Sequence, residues 1–195
     1  QKSFCKESER MIKMKIGVIS DTHGSLYFFE MAMSYLKDCD KIIHAGDILY
    51  HGPRNDIPGG YNPKELAEKI NALDNIVFAK GNCDSDVDQM VINHPIQSPY
   101  TVLDADNLNI LITHGYTKSK EDMIQEAKKF KADILIYGHT HKKELTKYDS
   151  LIVLNPGSTS IPKDGSRSVA IIDSGKIVLI DIENNGSILS ELYIK

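Results

Sequence analysis

The chain has 195 residues, enough to bury a sizeable core within one domain, and 41% of them are apolar. Lys and Arg number 23 against 27 Asp and Glu, a net charge of -4 with the basic residues dispersed, which excludes the broad electropositive face of a nucleic-acid-binding protein. No apolar run approaches the ~20 residues that span a bilayer, and three cysteines without a Cys-x-x-Cys pair exclude a disulfide framework.

Gln1 to Lys13 is polar and has no apolar signal core, so it reads as a flexible extension or a remnant foreign to the natural chain, whose start would be Met11 or Met14. Residues 14–195 are then expected to form one domain, and the protein is expected to be cytoplasmic. Lys15 to Ser20 reads as a buried strand through Ile16, Val18 and Ile19, followed at once by Asp-Thr-His-Gly. Asp21 and His23 are two residues apart, and in extended chain such residues point the same way. Leu26, Phe29, Met33 and Leu36 then fall on one helical face. A second strand through Ile42 and Ile43 ends in His-Ala-Gly-Asp at Asp47, with His44 read as a core residue holding one hydrogen-bonded nitrogen.

The Gly- and Pro-rich stretch from Gly52 to Asn62 reads as a surface loop beside the site. His51 and Arg54 read either as lining its mouth, where they can meet a phosphate oxygen, or as part of a solvated loop. Asn62-Pro63-Lys64-Glu65 combines an N-cap, a proline at the first helical position and an acidic third residue, ahead of Leu66, Ile70 and Leu73. A third strand from Ile76 to Ala79 leads into Gly-Asn-Cys-Asp, which contains Asn82. A hairpin follows, Thr101 to Ala105 against Asn109 to Thr113 around Asp106-Asn107, and delivers His114. Ser119 opens a helix whose Met123, Ile124, Ala127 and Phe130 are expected in the core, and Ile134 to Tyr137 then delivers Gly-His-Thr-His with His139 and His141. Glu144 to Tyr148 against Leu151 to Leu154 forms a second hairpin, and Ser174-Gly175 and Asn185-Gly186 mark two more turns. Strands alternating with helices, then antiparallel strands, predict an α/β fold of two mixed β-sheets packed face to face with helices on the outer faces.

Taken singly, these motifs are weak, since an Asp-x-His after a strand is often a turn or a helix cap. Together, Asp21, His23, Asp47, Asn82, His114, His139 and His141 stand at five strand ends, and the carboxyl edge of parallel strands is where ligand sites form. Four imidazoles, two carboxylates and an amide oxygen, with no thiolate required, suit manganese, iron, zinc or nickel. Two ions held about 3.5–4 Å apart need a bridging carboxylate, for which Asp47 is the candidate.

Asp-x-His, Gly-Asp, Gly-Asn-x-Asp, an isolated His before Gly and Gly-His-x-His resemble the five blocks of the calcineurin-like metallophosphoesterase superfamily, and in particular its small bacterial and archaeal phosphodiesterases. The likeness runs from Met14 onward and includes His51 to Asn55, Gly81 to Ser85 and Asn155 to Ser158. It implies the four-layer fold of that superfamily. It also implies two divalent ions per chain, Mn²⁺ first among them, one on Asp21, His23, Asp47 and His141 and the other on Asp47, Asn82, His114 and His139. The implied activity is hydrolysis of a small phosphodiester by attack of a metal-bound hydroxide. Phosphatases of the superfamily carry His after the Asn of the Gly-Asn block, whereas this chain has Cys83, whose neutral thiol brings no positive charge to a phosphate. Diesters are therefore expected over monoesters, with Cys83 and Arg54 as the further candidate catalytic residues. A phosphomonoesterase is the first alternative. A non-catalytic protein-binding scaffold is the second, because the superfamily also contains a retromer subunit. Neither membrane nor a broad nucleic-acid surface is expected as a partner, and homo-oligomerisation is left open.

Overall fold

A computed structural model describes residues 13–194; the expectations about the N-terminal stretch through Ile12 lie outside the described residues. In chain order the elements are β1 (Ile16–Ile19), α1 (Leu26–Leu36), β2 (Lys41–His44), α2 (Pro63–Asn71), β3 (Ile76–Ala79), α3 (Asp86–Val91), β4 (Ile96–Gln97), β5 (Thr101–Ala105) and β6 (Leu108–Ile112). They continue as α4 (Lys120–Lys129), β7 (Ile134–Ile136), β8 (Lys143–Tyr148), β9 (Leu151–Pro156), β10 (Ser168–Asp173), β11 (Lys176–Asp181) and β12 (Ser187–Tyr193). One sheet has the order β12-β11-β10-β1-β2-β3-β4, the other β5-β6-β7-β9-β8. Both are mixed: β1 to β4 run parallel beside antiparallel β10 to β12, and β6, β7 and β9 run parallel between antiparallel β5 and β8.

Side-chain alternation along the strands builds the layers. Ile43 faces the second sheet and packs in a cluster with Val18, Ile110, Ile112, Ile136 and Leu154, while its neighbour Ile42 faces outward against the helix side with Leu36, Leu66 and Ile70. In the second sheet Ile110 and Ile112 point inward, and Leu111 between them joins Met123 and Ala127 of α4 on the outer face. The result is the expected four layers, with helices outside two facing sheets. Each fully buried Ile or Leu here contributes roughly 1.5–3 kcal/mol relative to exposure.

The helix starts follow their caps. Ser25 accepts from Phe28 N, Asn62 from Glu65 N and Ser119 from Asp122 N. The short α3 was not expected, although Ser85 and Asp88 form a reciprocal capping box. Phe130 departs from expectation: it is the C-cap of α4, 42% exposed, with its ring against Tyr100 at 5.5 Å. No helix among the described residues is long and apolar enough to cross a membrane.

Strand register places the site. Ile19 pairs with His44 and His44 with Phe78, so the segments leaving β1, β2 and β3 emerge side by side. Ile112 pairs with Ile136, which sets the exits of β6 and β7 together in the facing sheet. The five strand ends thus belong to two sheets, not to the edge of one open sheet as the parallel-strand argument alone had it.

Candidate metal centre

At these exits the backbone turns sharply. Asp21, His23, Asp47, His139 and His141 all take positive φ, between 46° and 66°. Left-handed backbone disfavours L residues with a Cβ, and such strain persists only where surrounding structure imposes it. Here the supports are tertiary. Asp21 N donates to Gly46 O and His23 N to Asp47 O, each at 3.0 Å, while Ser158 and Ser160 hydroxyls donate to Asp21 O at 2.8 and 2.9 Å. Buried Asp84 accepts from Asp47 N at 3.0 Å, Ile48 N at 2.7 Å and Gly81 N at 2.6 Å, tying the exits of β2 and β3 together. Glycine is required at Gly81 because a Cβ there would stand 2.1 Å from Asp47 Oδ1.

Six expected ligands converge into two groups that share one member: Asp21, His23, Asp47 and His141, and Asp47, His114 and His139, with the offered ligand atoms of each group within 4.8 Å of one another. Each group draws side chains from both sheets. Asn82, exposed, stands on the wall of a cavity that Asp47, His139 and His141 also line, where its amide Nδ2 donates to Cys83 Sγ at 3.3 Å. Its Oδ1 is left without a hydrogen-bond partner among the described residues.

The imidazoles are oriented by carbonyls. His23 Nδ1 meets Tyr50 O at 2.9 Å, His114 Nδ1 meets Ala45 O at 2.7 Å and His141 Nδ1 meets Ile161 O at 2.9 Å. A carbonyl only accepts, so Nδ1 carries a proton in each ring and Nε2 faces inward, as a lone pair wherever the ring is neutral. His23 Nε2 and His141 Nε2 lie 3.1 Å apart, two acceptors in contact. Asp21 Oδ1 and His114 Nε2 are buried without a hydrogen bond, although Oδ1 lies 3.2 Å from His141 Nε2 and His114 Nε2 lies 3.3 Å from Asp47 Oδ2. Orphaned acceptors, facing lone pairs and two carboxylates are what a divalent cation satisfies, so these residues fit a metal centre.

The electrostatics agree. Burial alone would raise the Asp21 pKa, yet His141, His114 and His23 hold it well below the usual carboxylate range. Burial likewise opposes ionisation of Asp47, but His114 brings its pKa below the ordinary value. Burial lowers the pKa of His23 and of His139, keeping both as neutral donors. His114 is the exception: burial lowers it, but the adjacent Asp47 and Asp21 carboxylates overcome that and push it up to about 9, which reports how strongly this spot attracts positive charge. Burial raises Asp84 to about 6 despite its backbone donors.

Other sequence expectations fall out as follows. His44 is fully buried with both nitrogens engaged, Nε2 with Thr22 Oγ1 at 2.9 Å and Nδ1 with Gly46 N at 3.2 Å, and burial lowers it to about 3. Arg54 and Cys83 line a cavity of about 310 Å³ together with Asp47, His139 and His141. His51, open between the mouth of the site and a loop position, packs its ring edge-on between Tyr50 and Tyr61 and does not line that cavity. Burial and Asp47 push the Cys83 thiol up to about 12, so it is a neutral wall at neutral pH. Sequence reading gave no role to Asp84, Ser158, Ser160 or Lys163. The first two lie inside quoted motifs; nothing in the sequence marked Lys163, which lines the cavity and donates its backbone N–H to His141 O at 2.9 Å.

Residues 14–176 match the model of the calcineurin-like phosphoesterase superfamily domain. The chain is 35% identical over 185 residues to phosphodiesterase YfcE of Escherichia coli K12, covering 93% of this chain and 98% of that protein. The solved structure of the E. coli phosphoesterase YfcE superposes with a TM-score of 0.83 at 32% identity, over 93% of this chain and 100% of that one. Vacuolar protein sorting 29 from Cryptosporidium parvum shares the fold, with a TM-score of 0.67 at 20% identity over 93% of this chain and 99% of that one. With these matches set beside paired clusters of Asp and His at the strand exits, the chain belongs to the calcineurin-like phosphoesterase superfamily.

Proposed function

We propose that the protein is a phosphodiesterase dependent on two divalent metal ions, and the observation that carries this is the sharing of Asp47 between two ligand groups. Asp21, His23, Asp47 and His141 would hold one ion, and Asp47, Asn82, His114 and His139 the other. Such a pair would supply Lewis acidity toward phosphate oxygens and lower the pKa of a bound water toward neutral pH. The protein's part is orientation. Carbonyls of Tyr50, Ala45 and Ile161 fix three imidazole tautomers, and Cys83 N donates to Asp47 Oδ1 at 2.8 Å, which fixes the rotation of the shared carboxylate. The cavity is at the small end of ligand sites, which favours a small diester over a nucleic-acid strand.

Cys83 supports diesters over monoesters. Its neutral thiol adds no positive charge at its own point of the wall, where phosphatases of the superfamily carry an imidazole. Manganese is the expected ion, with iron, zinc and nickel as competitors for the same borderline donors. The test is to strip the protein of metal, add back Mn²⁺, and follow bis(4-nitrophenyl) phosphate and 4-nitrophenyl phosphate in wild type and Asp47→Asn. About two ions per chain, faster turnover of the diester and a collapse of both metal content and rate in the variant are expected. A folded protein that takes up no metal and turns over neither ester would overturn the proposal in favour of a scaffold, and faster monoester turnover would make it a monoesterase.

A further inference from the structure

The cavity over the metal centre carries two cations, Arg54 on the turn after β2 and Lys163 in the loop between β9 and β10. Neither side chain has an ion-pair partner within 4 Å or a hydrogen bond among the described residues; other exposed lysines are equally unpaired, but these are the two cations that line the cavity. Asp164, the carboxylate next to Lys163, is taken by Lys143 at 2.6 Å.

Both cations have fixed roots. Lys163 hangs from the backbone bond to His141 O, so its position is set by a candidate ligand. Arg54 sits on a turn closed by Asn55 Nδ2 donating to His51 O at 2.8 Å. That turn lies against Cys83, since a Cβ on Gly52 would meet Cys83 Sγ at 3.0 Å. The remaining lining residues are metal-ligand candidates or uncharged. A scissile diester carries one negative charge, which the metal centre itself addresses. Two further unpaired cations in the same small cavity exceed what that charge needs, and the chain's net charge of -4 makes them more conspicuous.

We propose that Arg54 and Lys163 form a second anion subsite, so that the preferred substrates are phosphodiesters carrying a further phosphate on one of their two alcohols. The inference rests on the phosphodiesterase reading and refines it. Arg54 offers a planar fork and Lys163 a point charge, a combination suited to a terminal phosphate with several free oxygens.

Two esters test it: thymidine 5′-(4-nitrophenyl phosphate) and the same diester bearing a 3′-phosphate, both with the manganese-loaded protein. The 3′-phosphate should raise kcat/KM about tenfold, chiefly through KM, and Arg54→Gln, Lys163→Gln and the double variant should bring the ratio of the two esters back toward one. A wild-type ratio near one, or equal losses on both esters in the variants, overturns the subsite. Calorimetry with thymidine 3′,5′-bisphosphate and thymidine 5′-phosphate separates this from the activity itself. Tighter bisphosphate binding that the variants abolish, with no turnover of either ester, would retire the diesterase reading and leave the subsite standing; equal binding of the two nucleotides overturns the subsite whatever the turnover.

Discussion

Two regions of the molecule use the same left-handed backbone for opposite reasons. In the hairpins, Asn107, Asp149, Ser174 and Asn185 take φ between 48° and 68°, at turns that Asn, Asp and following glycines select locally. At the strand exits, two Asp and three His residues take the same conformation, buried or half-buried, held by hydrogen bonds to segments far away in sequence. The hairpin turns choose their conformation; the exits have it imposed. The lesson is that strain collects where the chain must aim a side chain, and that the cost is offset by remote groups such as Asp84 and Ser158.

Removing the remote support should produce the largest effect. Asp84→Ala leaves three buried backbone N–H groups at Asp47, Ile48 and Gly81 without their acceptor, and should cost about 3–5 kcal/mol in urea unfolding. Asp84→Asn, which keeps one acceptor oxygen, should lose less, and metal content measured by mass spectrometry should fall in the same order. If Asp84→Ala unfolds like wild type, Asp84 does not hold the exits. Next comes Gly81→Ala, whose Cβ would press on Asp47 at 2.1 Å: about 2–3 kcal/mol by thermal unfolding, against about 1 kcal/mol for Gly175→Ala, a hairpin glycine with φ +78 and only Ile194 O nearby at 3.9 Å. Equal losses at the two glycines would erase the distinction between regions.

The sharper test is a gain. His139→Gly relieves an imposed φ of 66°, so the metal-free variant should be at least as stable as wild type, by up to about 1 kcal/mol, while its uptake of metal drops. A metal-free variant clearly less stable than wild type would mean that the exit is not strained. The smallest effect belongs to Asn185→Gly, a few tenths of a kcal/mol with metal uptake untouched, because Asn already tolerates its φ of 53°.

This contrast also explains what could be read in advance. Hairpin turns, helix caps and apolar strand runs are local signals, and Asp106-Asn107, Ser119 and Ile42-Ile43 stand where the sequence placed them. The candidate ligands were legible for a related reason, since each follows a recognisable strand. Which sheet each strand joins was not legible, because that depends on pairings such as β7 with β9 that skip an intervening strand. At Phe130, a helix C-cap beside Tyr100, helical periodicity no longer dictates which side faces the core. Asp84 and Lys163 act through the backbone of other segments or across a cavity, and neither relation leaves a spacing in the sequence.

Each ligand group takes members from both halves of the sandwich: Asp21, His23 and Asp47 follow strands of the larger sheet, and His114, His139 and His141 follow strands of the smaller one. Whatever these side chains jointly grip is therefore a rivet through two plates. A chelator added to the loaded protein would act as a denaturant of the whole, lowering its melting temperature in proportion to the logarithm of the ion concentration it removes.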